Sequence, residues 1–189
     1  MKYEKIVEPA SAANEVARQR DGWLWVDRTI GVSVPVDKVT LDLKKLMRFE
    51  MVETDGCRDE ILRIAKTRFT YDRRFNLTPE CDEAECEGVL RGWVSEMGPS
   101  IVAKWHDKVA GFINLKERSS DELEVWLCAI EVNGAALGLY AKAIEVARSH
   151  GYKKLVGRIS SQNMAVMNVY ASLGAQFALP EDVFLKEAE

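Results

Sequence analysis

The sequence predicts an α+β fold of three layers, a mixed and mostly antiparallel central sheet flanked by helices, with a small N-terminal extension. Three observations carry this expectation. Residues 100–132 hold three apolar-rich, alternating runs separated by the short polar segments HDK and RSSDE, the pattern of antiparallel neighbours. Residues 134–151 form an amphipathic helical stretch bounded by two glycines. An alternating strand, a second helix stopped by Gly174 and a closing strand follow it in order, so strands and helices interleave in the C-terminal half.

Taken from the start, WLWVDRTIGVSVPV (23–36) is rich in aromatic and β-branched residues and is interrupted by Gly31 and Pro35, which predicts one or two short strands. LMRFEMVE alternates as a strand, and Ile61, Leu62, Ile64, Ala65 and Phe69 then recur at helical spacing. In LTPECDEAECEGVLRGWVSEM, Thr78 and Pro79 give a helix start, and Val89, Leu90, Trp93 and Met97 continue its apolar face. The helix from Gly134 to His150 has an apolar stripe of Leu137, Tyr140, Ala141, Ile144 and Ala147 opposite Lys142, Glu145, Arg148 and Ser149, with Gly151 at its C-terminal stop. KKLVGRIS reads as a strand, QNMAVMNVYASLG as a helix and EDVFLKE as the last strand. There is no internal repeat; the one boundary the pattern offers lies near residue 45, separating an extension (1–45) from the main domain (46–189).

Composition narrows the function classes. The chain has 189 residues, 47% hydrophobic and 30% charged, with a formal net charge of -4 and its acids and bases interspersed. That is the balance of a folded globular protein, without the basic stripe of a nucleic-acid partner. No run approaches the eighteen apolar residues of a membrane span, and no secretory leader is evident, so a cytoplasmic protein is expected. Cys57, Cys81, Cys86 and Cys128 form no CxxC pair and lie far from His106 and His150; no metal site is expected, and Cys128 reads as a small buried hydrophobe in a reducing compartment.

Chemistry concentrates in two places. In EVNGAALG, the small residues Gly134, Ala135 and Ala136 allow close approach to the backbone, and the open N–H groups of a helix start attract phosphate oxygens. A strand-to-helix turn also needs small residues for packing alone. On the later helix Asn163 and Tyr170 stand seven residues apart, two turns along one flank; taken alone, Asn163 reads as a helix cap and Tyr170 as a core phenol.

The strand order, G-x-A at one helix start and N-x6-Y-x3-G on the next helix together resemble the GNAT superfamily of acyl-CoA-dependent N-acyltransferases over residues 46–189. In that family Q/R-x-x-G-x-G/A opens the helix that holds the coenzyme pyrophosphate; Glu131, Gly134 and Ala136 stand at the matching positions, with Glu131 in place of Gln or Arg. The resemblance implies acetyl-CoA as acyl donor, held by Ala129, Ile130, Val132, Gly134, Ala135, Ala136 and Asn163, with Tyr170 beside its sulfur. The implied reaction is attack of a primary amine on the thioester, with a backbone N–H between Ala129 and Val132 stabilising the oxyanion and Tyr170 serving the thiolate. Glu124 ranks first as base, acting directly or through water if its pKa is raised, with Glu122 and Asp121 behind it; a solvent-facing strand residue is the other reading of Glu124.

A finer resemblance is to the dTDP-fucosamine acetyltransferase branch. It rests on Arg68, Phe69 and Asp72 in AKTRFTYD and on Trp25, Asp27 and Gly31 in WVDRTIG, and implies an amino-sugar nucleotide as acceptor. Arg68, Arg73 and Arg74 would then clamp its diphosphate. Two other readings stay open: a degenerate acyl-CoA-binding sensor or interaction module, suggested by Glu131, and an acetyltransferase for a peptide or polyamine amine. Sheet edges and apolar residues near the C-terminus permit a homodimer without specifying one.

Overall fold

The computed structural model describes residues 3–40, 49–69, 83–96 and 100–187. In chain order its elements are β1 (Tyr3–Pro9), α1 (Ala12–Arg20), β2 (Leu24–Pro35), β3 (Glu50–Thr54), α2 (Arg58–Arg68), α3 (Glu83–Ser95) and β4 (Ser100–Trp105). They continue with β5 (Lys108–Ser119), β6 (Glu122–Ile130), α4 (Ala135–Ser149), β7 (Lys154–Ser160), α5 (Met164–Ser172) and β8 (Gln176–Glu187). The eight strands make one sheet in the order β1-β8-β2-β7-β6-β5-β4-β3. Every neighbouring pair is antiparallel except β6 with β7, so the expected mixed, mostly antiparallel sheet flanked by helices is the architecture found. No helix among the described residues is long and apolar enough to cross a membrane.

Strand alternation sets the layers. On one face Ile101, Ala103 and Ile113 pack with Leu139, Tyr140, Ala143, Ile144 and Ala147 of α4 and with Tyr170 and Leu173 at the end of α5. On the other, Val102 and Phe112 pack with Ile61, Leu62, Ile64 and Ala65 of α2 and with Leu90 and Val94 of α3. The sheet is thus apolar on both faces in its centre, and each helix pair closes one face. The buried stripe of α4 runs through Leu139, fully buried, whereas Leu137 is half-buried. The two leucines are two positions apart, about 200° around the helix, so it is Leu139 and not the expected Leu137 that faces the sheet. The start signal at Thr78 and Pro79, and Met97, lie outside the described residues.

The N-terminal residues are built into the sheet. β2 is one continuous twelve-residue strand, not two, and it lies between β7 and β8. Its register against β8 slips between Trp25 and Asp27, where Val26 is an extra residue of β2, and again between Ile30 and Val32, where Gly31 lies opposite both Ala178 and Leu179, so the extra residue there belongs to β8. Pro35 stands at its last position, where no further ladder bond is needed. Polar bonds fix this insertion. The fully buried Asp182 of β8 accepts from Trp25 Nε1 at 2.9 Å and from Arg28 Nε at 2.8 Å. Asp27 accepts from Ser160 Oγ of β7 at 2.9 Å. Burial works against the Asp182 charge, but the bonds from Arg28 and Trp25 outweigh it and hold the carboxyl below the usual aspartate range.

Candidate active site

Among the described strands, the sheet opens at its one parallel pair. β6 and β7 are paired from Glu122↔Lys154 to Glu124↔Val156 and no further. The cause lies on the other side of β6: Leu115 of β5 faces Val125 and the adjacent Asn114 faces Leu127, which leaves Trp126 as an extra, bulged residue. A bulge bends its strand and increases its twist, and here it turns the rest of β6 away from β7. From Val125 onward every second N–H and C=O of β6 faces this gap instead of a partner strand.

A phenol stands in the gap. A Cβ built on Gly157 of β7 would lie 2.9 Å from the Tyr170 hydroxyl oxygen, and 3.7 Å from the Cβ and the carbonyl oxygen of Val125. Gly157 therefore makes the room in which the Tyr170 oxygen reaches the opening between the strands. The ring is held from behind by Tyr140 of α4, edge to face, with centroids 4.9 Å apart at 73°. The Tyr140 hydroxyl neighbours both the Tyr170 hydroxyl and the Cys128 thiol, so the three groups influence one another's protonation. Sequence reasoning missed Gly157, Tyr140 and Cys128 as members of this group; an isolated glycine inside a strand, as in KKLVGRIS, is the signal that was available for the first.

Burial raises all three of these groups. The Cys128 thiol is pushed from its ordinary 9.0 up to about 12, partly opposed by the neighbouring Tyr140 hydroxyl. Tyr140 and Tyr170 are pushed well above the usual phenol value, Tyr170 with some help from the nearby Cys128 and Glu124 charges. All three are neutral when protonated and bind their protons more tightly in the folded chain. Their contribution to stability is complete below the unfolded values, about 8.5 to 10, and is lost as pH rises through the folded ones. Urea unfolding at stepped pH should show a level plateau to about pH 8.5. Above it stability should fall, by up to about 1.4 kcal/mol per pH unit for each group ionised only in the unfolded chain. A stability that stays level to pH 11 would contradict the burial described here.

Glu124 is the last residue of β6 to face β7 before the strands part. It is half-buried and its charge is felt at Tyr170. The turn after β6 forms the other end of the site. Gly134 has φ +96, the left-handed region that glycine adopts without strain, and precedes the first turn of α4 with no side-chain cap. Ala135 is fully buried and Ala136 half-buried. The N–H groups of Glu131 and Val132 both donate to Ala110 O, at 2.8 and 2.9 Å; Ala129 and Ile130 precede them on β6, Ala129 buried and Ile130 half-buried. The Glu131 carboxylate is gripped by Arg63 of α2, with Nη1 to Oε1 2.5 Å and Nη2 to Oε2 2.6 Å, and this pairing keeps its pKa low. Arg68, at the end of α2, donates from Nη2 to the Glu131 carbonyl oxygen at 3.1 Å.

Asn163 caps α5, its Oδ1 accepting from Val166 N–H at 3.2 Å, so Nδ2 is the donor left to meet a ligand. The structure thus brings Tyr170 and Glu124 to the gap, and Val132, Gly134, Ala135 and Ala136 to the turn beyond it. Arg68 stands at that turn as well; Arg73, Arg74 and Asp72 lie outside the described residues.

Comparison with known proteins bears on the family and the fold. The sequence profile described as the Acetyltransferase (GNAT) family matches residues 59–175. No curated protein matches the chain. Among solved structures, a functionally unknown conserved protein from Staphylococcus epidermidis is similar with a TM-score of 0.69 at 11% identity, over 100% of this chain and 73% of that one. An acetyltransferase from the GNAT family of Colwellia psychrerythraea has a TM-score of 0.55 at 11% identity, over 100% of this chain and 66% of its own. A GCN5-related N-acetyltransferase from Sphaerobacter thermophilus has a TM-score of 0.59 at 12% identity, over 98% of this chain and 59% of its own. At such identities these structures speak for the fold alone. The profile spans well over half of the chain and includes the gap, the turn and both helices that serve them; the protein belongs to the GNAT acetyltransferase family.

Proposed function

We propose that the protein is an acetyl-CoA-dependent N-acetyltransferase acting on a primary amine, with the gap between β6 and β7 as its reaction site. The observation that carries this reading is the Tyr170 oxygen beside Gly157 and Val125 where β6 and β7 part, with an uncapped helix start at Gly134 following β6. The residues present suit the coenzyme. The free backbone edge of β6 offers amide partners to an extended pantetheine arm, Asn163 Nδ2 flanks it, and the N–H groups at the start of α4 face phosphate oxygens. Glu131, the one acid at that turn, is matched by Arg63, which removes the main argument for a degenerate binding module.

The coenzyme supplies an activated acetyl thioester when bound. Glu124 accepts the proton of the attacking amine, directly or through water. A gap-facing N–H of β6, in the stretch before Glu131, donates to the acyl oxygen as negative charge develops there. Tyr170 donates a hydrogen bond to the departing sulfur. Its raised pKa makes complete proton transfer to a thiolate uphill, so its part is stabilisation by a donor that stays protonated.

For the acceptor we favour an amino-sugar nucleotide, with Arg73 and Arg74 toward its diphosphate; Arg68, expected beside them, instead bonds to the Glu131 carbonyl at the turn after β6. The support is limited to sequence, because Trp25 and Asp27 of the motif behind it bond to β8 and β7 and serve the insertion of β2. A peptide or polyamine amine is the alternative acceptor.

Calorimetric titration with acetyl-CoA, followed by thiol release on a panel of amines, tests the proposal. Micromolar coenzyme binding and multiple turnovers on at least one amine are expected. No binding up to millimolar coenzyme would overturn it.

A further inference from the structure

We infer that Arg63, carried to the turn after β6 by Glu131, binds the coenzyme's phosphate groups and replaces the side chain that Glu131 cannot provide. The inference rests on the coenzyme site proposed above and adds to it a residue from a different layer of the fold.

Three observations meet here. Glu131 stands three positions before Gly134, where an unmatched carboxylate would repel phosphate approaching the open N–H groups of α4. Arg63 meets it with both terminal nitrogens in a fork-to-fork pair, the arrangement in which a guanidinium is most firmly oriented. A guanidinium has five N–H donors, so a pair that uses two leaves three for a second anion. Arg68 adds a further cation on the same turn through the Glu131 carbonyl. One acid against two bases leaves the turn positive instead of negative.

The support behind Arg63 is rigid. Ile61, Leu62, Ile64 and Ala65 on the neighbouring positions of α2 are all buried against the sheet, so the helix is fixed while Arg63, 53% exposed at its side chain, reaches over the edge to the turn. Glu131 acts here as a positioning residue, aiming a cation it does not itself possess. Arg63 is useful only while Glu131 is present to hold it, and Glu131 is tolerable at a phosphate site only while Arg63 is present to neutralise it.

That mutual dependence supplies the test. CoA affinity is measured by calorimetry for the wild type, Arg63→Ala, Glu131→Gln and the double variant, at low salt and at 0.5 M salt, with thermal unfolding as a check on the fold. Arg63→Ala should weaken CoA binding about tenfold or more, since it strips a charged donor and exposes the carboxylate. Glu131→Gln should itself bind CoA several-fold more weakly than the wild type, since Arg63 is then no longer held at the turn. The double variant should bind within about threefold of Glu131→Gln. Glu131→Gln binding as well as or better than the wild type would overturn the inference. The deficit of Arg63→Ala should shrink at high salt. Equal affinity for wild type and Arg63→Ala would overturn the inference while leaving the coenzyme site standing. So would a deficit that persists unchanged in the double variant and at 0.5 M salt. Failure of the wild type to bind CoA would instead overturn the proposed function, and this inference with it.

Discussion

Tyr170→Phe should lower kcat by about ten- to a hundredfold and leave the affinity for acetyl-CoA near that of the wild type. The ring keeps its contact with Tyr140, so the substitution removes one oxygen and its hydrogen bonds without opening a cavity. Gly157→Ala should produce a loss of similar size by a different route. The added methyl would fall 2.9 Å from the Tyr170 oxygen, and a buried phenol ring is too rigid to yield except by moving its hydroxyl out of the gap. The two substitutions should therefore fail to add: in the Phe background the clash is gone, and Gly157→Ala should cost little more. Steady-state kinetics of the two single variants and the double variant give the answer. Additive losses would mean that Gly157 matters for something other than the phenol, such as backbone contact with the coenzyme. An unchanged rate in Tyr170→Phe would remove Tyr170 from the mechanism.

Glu124→Gln should lower kcat/KM by about two to three orders of magnitude at pH values below the acceptor's pKa. There the amine arrives as ammonium and must lose a proton before it can attack. Above that pKa the acceptor arrives neutral and the deficit should narrow. The shape of the profile decides the role: a loss equal at every pH would place Glu124 in acceptor binding, and no loss would leave it an ordinary strand residue. Glutamine keeps the size and polarity of the side chain at the last paired position of β6 and β7, so the fold should not intrude on the result.

The parts of this fold that were legible in the sequence are those in which burial marks the chain over several residues. Strands β4 and β5 are buried on both faces along most of β4 and the first half of β5 and read as apolar runs, and helix α4 buries a stripe at helical spacing; the sequence shows both directly. Helix α1 could not be read so, because it buries none of its residues and is marked only by the Ser11 cap on Asn14. Strand β1, with its alternate glutamates and lysine, lies at the edge of the sheet, where composition resembles that of a loop. In the site, Tyr170 and Gly134 could be singled out because each belongs to a short local pattern, N-x6-Y-x3-G and G-x-A. The partners that define them were not: Gly157 becomes necessary only once Tyr170 is seen opposite it, and Arg63 is 68 positions from Glu131. No periodicity links residues that tertiary structure alone brings together.

The placement of β2 bears on how the chain reaches its native state. The strand is formed by residues 24–35, yet both of its neighbours come from residues 154–187. During synthesis it must wait, unpaired and apolar, until most of the polypeptide has left the ribosome, while β3 to β6 already have their partners at hand. Contacts of such long sequence separation close slowly. The closing step of folding is therefore the threading of an early segment between two late ones, and this protein is most exposed to aggregation and to chaperone capture in the interval before that step.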